Sequence, residues 1–202
     1  MPANRMPRMA SLRLSIMATA ALALGGCISF GDDPPPALLT LTPSVQIAEG
    51  AGPGGEASGV LTVRQPEVPG SLSVTRVPVQ VDPSTIAYLK DAVWVDRPSK
   101  LFQNLLVATI RERTGRLVLD DVESRAAPES VLRGTLREFG YDARSGAVVV
   151  TYDAIRESGG KLQTRRFTAR VPGVPAEASP VGIALNDAAN EVAIDVADWI
   201  GR

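Results

Sequence analysis

The chain has 202 residues, with 21 basic and 22 acidic side chains, a net charge of −1, one cysteine and no histidine. This charge balance lacks the basic footprint that nucleic-acid binding requires, so we expect no nucleic-acid partner. One cysteine cannot form a disulfide within the chain. The lack of histidine removes the commonest general base, the usual serine-hydrolase triad and most zinc sites.

The first 26 residues have the three-part pattern of a secretory signal peptide. Arg5, Arg8 and Arg13 precede an apolar stretch over residues 14–24, and small residues follow it. The stretch is about half of the ~20 residues that a transmembrane helix needs. We therefore predict that residues 1–26 are a cleaved signal peptide, and no later segment is long and apolar enough to span a membrane.

The residues at the predicted cleavage site, Leu24-Gly25-Gly26-Cys27, resemble the bacterial lipobox. In that motif the thiol receives a diacylglyceryl group, and the cysteine becomes the N-acylated first residue of the mature protein, commonly with palmitate. The alternative is an ordinary secreted protein with a stray cysteine. Ile28 replaces the aspartate that favours inner-membrane retention, so the expected address is the inner leaflet of the outer membrane, facing the periplasm.

The mature chain is predicted to begin with a tether. Removal of residues 1–26 changes the net charge from −1 to −4. Residues 27–37 carry the lipid and are rich in proline, which favours an extended spacer of roughly 30 Å. Residues 38–202 form the predicted domain, with a flexible glycine-rich loop at about 43–59.

Alternating and β-branched segments predict a series of strands. They lie at 38–42, 59–64, 72–81, 116–119, 131–142, 147–155 and 162–171, with a short pair at 86–88 and 92–95. Turns at 144–146 and 158–160 predict that the last three strands form a meander. The alternation slips near Thr75 or Arg76, which predicts a bulge. Pro78 cannot donate to a ladder, so its strand is either bulged or at a sheet edge. Val77, Pro78 and Val79 are therefore a candidate edge-strand surface for a partner or for self-association.

Two helices are predicted from apolar residues at helical spacing. The first runs from about Pro98 to Thr114 and stops at Gly115. The second is the C-terminal helix, with Ser179 as its cap and Pro180 in its first turn. These elements predict a single α+β domain with a largely antiparallel or mixed sheet and two main helices packed on it.

Signals for catalysis or metal binding are weak, and we predict neither. Gly159-Gly160-Lys161 lacks the leading glycine of a phosphate loop. Ser58 misses the spacing of a nucleophile elbow. The adjacent acidic residues at 32–33 and 120–121 are typical of solvated charges in a flexible tether or a turn. A hydrolase is thus disfavoured, and no cofactor is expected beyond the covalent lipid on Cys27.

In the order of its features, the mature chain resembles the ABC-type transport auxiliary lipoprotein family, which includes the lipoprotein of the paraquat-inducible operon. The matching segments are Leu39 to Pro43, Leu61 to Val81, Ile86 to Leu106, Leu132 to Phe139, Phe167 to Ala169 and Val196 to Trp199. The glycine-rich insert at 50–59 is longer than the family pattern.

This resemblance implies a non-enzymatic, lipid-anchored subunit of an intermembrane lipid-transport system. Its expected partners are an MCE-domain protein and an inner-membrane ABC transporter, with self-association into a homo-oligomer as a further expectation. The alternative is a stand-alone lipid-binding or envelope-integrity lipoprotein that carries an acyl chain in its own pocket. Trp94 and Trp199 could line such a pocket, although core packing is the ordinary role of such residues.

Overall fold

The computed structural model describes residues 37–45, 60–120 and 130–201. Within them the chain forms two α-helices and a seven-stranded mixed sheet, which confirms the predicted α+β class. The strands are β1 (Leu61–Val63), β2 (Arg76–Asp82), β3 (Thr85–Val93), β4 (Val118–Asp120), β5 (Ser130–Asp142), β6 (Ala147–Ser158) and β7 (Lys161–Pro172). The helices are α1 (Pro98–Thr114) and α2 (Ala178–Ile200), and a 3-10 turn at Gly70–Leu72 precedes β2. No helix of the described residues is long and apolar enough to cross a membrane.

Strand β5 organises the sheet. It pairs antiparallel with β6, which pairs antiparallel with β7, so the predicted three-stranded meander is confirmed. The other edge of β5 is shared by two parallel neighbours. β1 lies beside the start of β5, where Leu61 faces Ser130, and β2 lies beside its end, where Val79 faces Tyr141. β4 extends the sheet beyond β1, and β3 extends it beyond β2.

The core lies between one face of this sheet and the two helices. Four large aromatic side chains fill it, Trp94, Phe102, Phe139 and Tyr152, and each is no more than 1 % exposed. Phe102 stands edge-on to Tyr152 at 5.3 Å and to Phe139 at 6.4 Å between ring centroids. Such pairs stabilise a core by about 0.5–1.5 kcal/mol beyond the area they bury.

Helix α1 has the predicted bounds. Pro98 occupies the first helical position. A backbone N–H there would have no partner within the helix, so proline, which lacks this group, loses no hydrogen bond. Gly115 ends the helix with a φ of 65°, a left-handed conformation that glycine adopts without strain, and its N–H donates to the Arg111 carbonyl at 3.0 Å. The apolar stripe of the helix is buried.

Helix α2 begins two residues earlier than predicted, at Ala178 and not at Pro180. Glu177 is the residue before it, and no side chain caps the first turn, so the prediction that Ser179 is the cap was wrong. Ser179 instead lies inside the first turn. The predicted apolar stripe, including Val181, Leu185 and Val192, is buried against the sheet and α1.

The first described segment is not the predicted strand at 38–42. Only Leu39 forms a bridge, to Trp94. Beyond it the backbone is held by side chains of α2: Asn186 accepts from the Thr42 N–H at 2.8 Å, and Asn190 accepts from the Ser44 N–H at 2.7 Å. These helix side chains satisfy backbone groups that a neighbouring strand would otherwise satisfy.

The predicted pair at 86–88 and 92–95 was also wrong, because β3 is continuous from Thr85 to Val93 and pairs with β2. The predicted strand at 72–81 begins only at Arg76, since Leu72 belongs to the 3-10 turn. The 3-10 turn explains part of the change of phase in the apolar alternation over residues 72–81. The register shift between Arg76 and Pro78 confirms the predicted bulge.

Candidate functional site

A groove lies where β2 and the 3-10 turn meet β5, on the side of the sheet that carries its polar residues. Its volume is about 340 Å³, within the range of small-molecule sites. The apolar residues Leu72, Pro78, Val149 and the exposed Ile86 line part of it. Charged side chains line the rest: Arg137, Glu138, Asp142, Arg144 and Arg170.

A β-bulge in β5 creates the polar part of this groove. The register with β6 shifts between Leu136 and Glu138, and both Leu136 and Phe139 are buried in the core. The extra residue therefore leaves two consecutive charged residues, Arg137 and Glu138, at the groove. Bulges commonly re-aim side chains in this way next to functional surfaces.

A close approach between β2 and β5 forms another wall of the groove. A Cβ at Gly140 would lie 2.4 Å from the Pro78 carbonyl oxygen. No other residue can occupy position 140 without moving one of the two backbones. Gly140 is therefore needed for the close contact between β2 and β5, and it does not form a turn.

Asp142 is the best-bonded carboxylate of the groove. It accepts from the Ser145 hydroxyl at 2.5 Å, from the Arg144 N–H at 3.1 Å and from Arg170 Nη2 at 3.3 Å. The Ser145 hydrogen bond is the largest cause that lowers the pKa of Asp142 below its ordinary value, with Arg144 and Arg170 adding to it. The ionised carboxylate holds Arg170 at the groove.

A second ion cluster adjoins the groove on β6. Arg166 donates twice to Asp153, at 2.6 and 2.8 Å, and Arg137 donates to the same carboxylate at 2.9 Å. These bonds, with Arg166 first, lower the pKa of Asp153 to about 2. Two cations, Arg137 and Arg166, therefore share the Asp153 carboxylate.

The groove can hold a polar or amphipathic surface but has no evident catalytic chemistry. Its hydroxyls at Ser71 and Tyr141 have no histidine in the chain to activate them. The described residues contain no group of three or more histidine, cysteine or acidic side chains that could hold a metal ion. The mixed apolar and charged lining is suited to binding a polar or amphipathic surface.

The predicted edge-strand surface was wrong. β2 lies between β3 and β5, so Val77, Pro78 and Val79 are in the interior of the sheet. Val77 is fully buried, and Val79 pairs with Ala87 and Tyr141 on its two sides. Among these three, Pro78 lines the groove.

The other residues singled out from the sequence have separate locations. Cys27 and the cleavage context, Leu24, Gly25 and Gly26, lie outside the described residues, so the lipid attachment site stays a prediction. Trp94 is a core residue. Trp199 is half-buried against Phe167, with 5.7 Å between ring centroids, at the end of α2.

Sequence reasoning missed the charged residues of the groove. The alternation in β5 placed Arg137 on the exposed side of its strand, and the turn at Arg144 was predicted. Their convergence with Arg170 depends on the bulge and on the pairing of three strands, which a pattern in one strand cannot specify.

The sequence from residue 39 to residue 197 matches the model of a family described as the ABC-type transport auxiliary lipoprotein component. This match covers more than half of the chain and includes every strand and almost all of both helices. No curated protein matches the chain.

Solved structures show the same fold. Protein XCC0632 from Xanthomonas campestris, of family DUF330, aligns with a TM-score of 0.67 and 17 % identity, covering 81 % of this chain and 94 % of that one. A structure described only as an uncharacterized protein aligns with a TM-score of 0.62 and 19 % identity, covering 71 % and 92 %. At such identities the likeness concerns the fold alone.

Proposed function

Because the chain belongs to the ABC-type transport auxiliary lipoprotein family, we propose that it is a non-enzymatic subunit of an MCE/ABC-type intermembrane lipid-transport system. Family membership indicates a transport-associated role in the cell envelope, with an ABC-type transporter as partner. The finer role that we propose is docking of an MCE conduit at the outer membrane. The family match over residues 39–197 is the observation that carries this proposal.

The proposed anchor is an N-acylated, S-diacylglyceryl cysteine at position 27. The nine residues from Ile28 to Pro36 separate it from the first described residue, Ala37. A lipid that buries acyl chains at ~0.8 kcal/mol per CH₂ would hold the domain firmly at one membrane. Ile28 supports the outer membrane as that location.

The packing of the core supports docking over the carriage of an acyl chain inside the domain. Trp94, Phe102, Phe139 and Tyr152 occupy the space between the helices and the sheet. An acyl chain would need to displace these rings or lie in the groove beside β5, which charged side chains partly line. The domain is therefore better suited to presenting a surface than to enclosing a lipid.

The experiment is affinity purification of the lipidated full-length chain from its native envelope in mild detergent. We expect an MCE-domain protein to copurify and the chain to fractionate with the outer membrane. The matched control is Cys27→Ser, which removes the acylated thiol, so this variant should no longer fractionate with the outer membrane although the domain keeps its fold.

Two results would contradict the proposal. Recovery of stoichiometric phospholipid without an MCE protein would favour the stand-alone lipid carrier instead. Fractionation of the lipidated chain with the inner membrane would contradict the outer-membrane address.

A further inference from the structure

Strand β7 forms a long, regular edge of the sheet. It pairs with β6 from Ser158 opposite Lys161 to Ala147 opposite Pro172, without a register shift. Its other side pairs with no strand among the described residues. Edge strands in proteins are usually short or bulged because unpaired backbone groups attract other strands, and β7, at 12 residues, is neither.

The backbone groups on this open side can be assigned from the turn. The β6–β7 connection has two residues, Gly159 and Gly160, so Ser158 and Lys161 form the hydrogen-bonded closing pair. Because hydrogen-bonded and non-hydrogen-bonded pairs alternate, every second residue of β7 directs its N–H and C=O away from β6. These residues are Leu162, Thr164, Arg166, Thr168 and Arg170.

The first half of β7 is accessible on both faces as well as along its edge. All six residues from Lys161 to Arg166 are exposed, whereas Phe167 and Ala169 farther along are buried in the core. Leu162 is 62 % exposed although it is apolar. An added strand would therefore find both hydrogen-bonding groups and apolar surface.

The charge of β7 favours one kind of added strand. The segment KLQTRRFTARVP holds four basic residues and no acidic one, in a chain whose net charge is −1. Arg166 pairs with Asp153 of β6, and Arg170 pairs with Asp142 at the end of β5. Lys161 and Arg165 make no ion pair with the described residues, and the Arg165 guanidinium lies 5.1 Å from the centre of the Phe167 ring.

We propose that β7 binds an extended, acidic peptide segment of a partner protein by adding it to the sheet as a further strand. Backbone hydrogen bonds would give affinity, and cross-strand pairing of carboxylates with Lys161 and Arg165 would give specificity. A second copy of the chain is a poorer partner for this edge, because pairing one β7 with another would bring the four basic residues of each strand close together. The inference rests on β7 itself and does not depend on the docking of an MCE protein.

The test uses two synthetic peptides and the lipidated full-length chain in detergent micelles. The acidic peptide is acetyl-Val-Glu-Thr-Thr-Thr-Glu-Val-amide, whose glutamates are four residues apart like Lys161 and Arg165, and the control peptide has lysine in place of both glutamates. We expect the acidic peptide to bind at least about tenfold more tightly at low salt, with a preference that falls as salt is added. It should slow hydrogen exchange at the outward amides, among them Thr164, Thr168 and Arg170.

Variants of the charged side chains and of the backbone separate the contribution of charge pairing from that of the backbone hydrogen bonds. The double variant K161E/R165E should reverse the preference between the two peptides. The control R64E/R97E makes the same change in charge at exposed residues away from β7 and should leave the preference unchanged. Thr164→Pro removes one outward N–H and should weaken binding of the acidic peptide by about three- to tenfold.

Three outcomes would overturn the proposal. One is equal binding of the two peptides, and another is binding that leaves exchange at the β7 amides unchanged. The third is slowed exchange at those amides that depends on the concentration of the chain without any peptide, since that result would identify a second copy as the occupant. Circular dichroism of each variant verifies that the fold is retained.

Discussion

Asn190 holds the backbone of Thr42 and Ser44 with a single side chain. Its Nδ2 donates to the Thr42 carbonyl at 2.9 Å, and its Oδ1 accepts from the Ser44 N–H at 2.7 Å. Asn190 is 5 % exposed, so both bonds are largely shielded from water. One helix residue therefore fixes the segment that leads from the N-terminal part of the chain into the domain.

Replacement of Asn190 by alanine should release this segment locally. We expect hydrogen exchange at the Ser44 amide to accelerate by one to two orders of magnitude, because two bonds worth about 1 kcal/mol each are lost. The amides of β5 and β6 should keep their protection. Asp187→Ala, at an exposed position of the same helix, is the control. Equal acceleration in both variants would contradict the role of Asn190 in holding this segment.

Gly140→Ala should destabilise the domain because the new Cβ meets the Pro78 carbonyl oxygen at 2.4 Å. Overpacking of this kind costs about 1–3 kcal/mol, measured by urea unfolding. Gly70→Ala is the matched control, since a Cβ at Gly70 would have no heavy atom within 4 Å. A loss of stability that is the same for both variants would show that strand contact at Gly140 is not the cause.

The ion cluster at Asp153 should make stability depend on pH in the acid range. Its pKa is lowered to about 2 in the folded chain from an ordinary 3.8, so the stabilisation is present above pH ~4 and is lost as pH falls toward 2. Arg166 and Arg137 are more than half exposed, which limits the contribution to about 1 kcal/mol or less.

Asp153→Asn should therefore lower the free energy of unfolding at pH 6 by up to about 1 kcal/mol and have little effect at pH 2. Chemical denaturation between pH 2 and pH 6 measures both. Asp187→Asn removes the same charge from an exposed helix position and should change stability by less than about 0.5 kcal/mol. A constant difference across that range would contradict the role of the ion cluster.

Tyr152→Phe should leave stability unchanged or raise it by up to about 1 kcal/mol. The Tyr152 hydroxyl is buried without a hydrogen-bond partner among the described residues, and burial raises its pKa. Removal of an unsatisfied polar group ends its desolvation cost. Tyr141→Phe is the contrasting variant, because the Tyr141 hydroxyl donates to the Val174 carbonyl at 2.9 Å, and its loss should cost about 1–2 kcal/mol by thermal unfolding.

The sequence predicts elements well where one local signal decides them. Pro98 and Gly115 mark the ends of α1 through their own backbone chemistry, and the turns at residues 144–146 and 158–160 define the β5–β7 meander. Each of these signals acts within a few residues, so no knowledge of distant neighbours is needed.

The failures arise where distant parts of the chain decide the outcome. Pro78 is compatible with a bulge or with an edge, and only the packing of β2 against β5 selects the bulge. Segment 38–42 has the alternation of a strand, but Asn186 and Asn190, more than 140 residues away, bind its backbone. The groove likewise depends on register, which sequence patterning in a single strand does not contain.

The attachment of the first segment has a mechanical consequence. Leu39 bonds to β3 through its own N–H and to Val95 through its carbonyl, and the next residues bond to α2. A force that pulls on the chain before Ala37 would therefore act on the sheet and on α2 at the same time, through several hydrogen bonds. Hydrogen bonds to two different elements must therefore break before this segment separates from the domain.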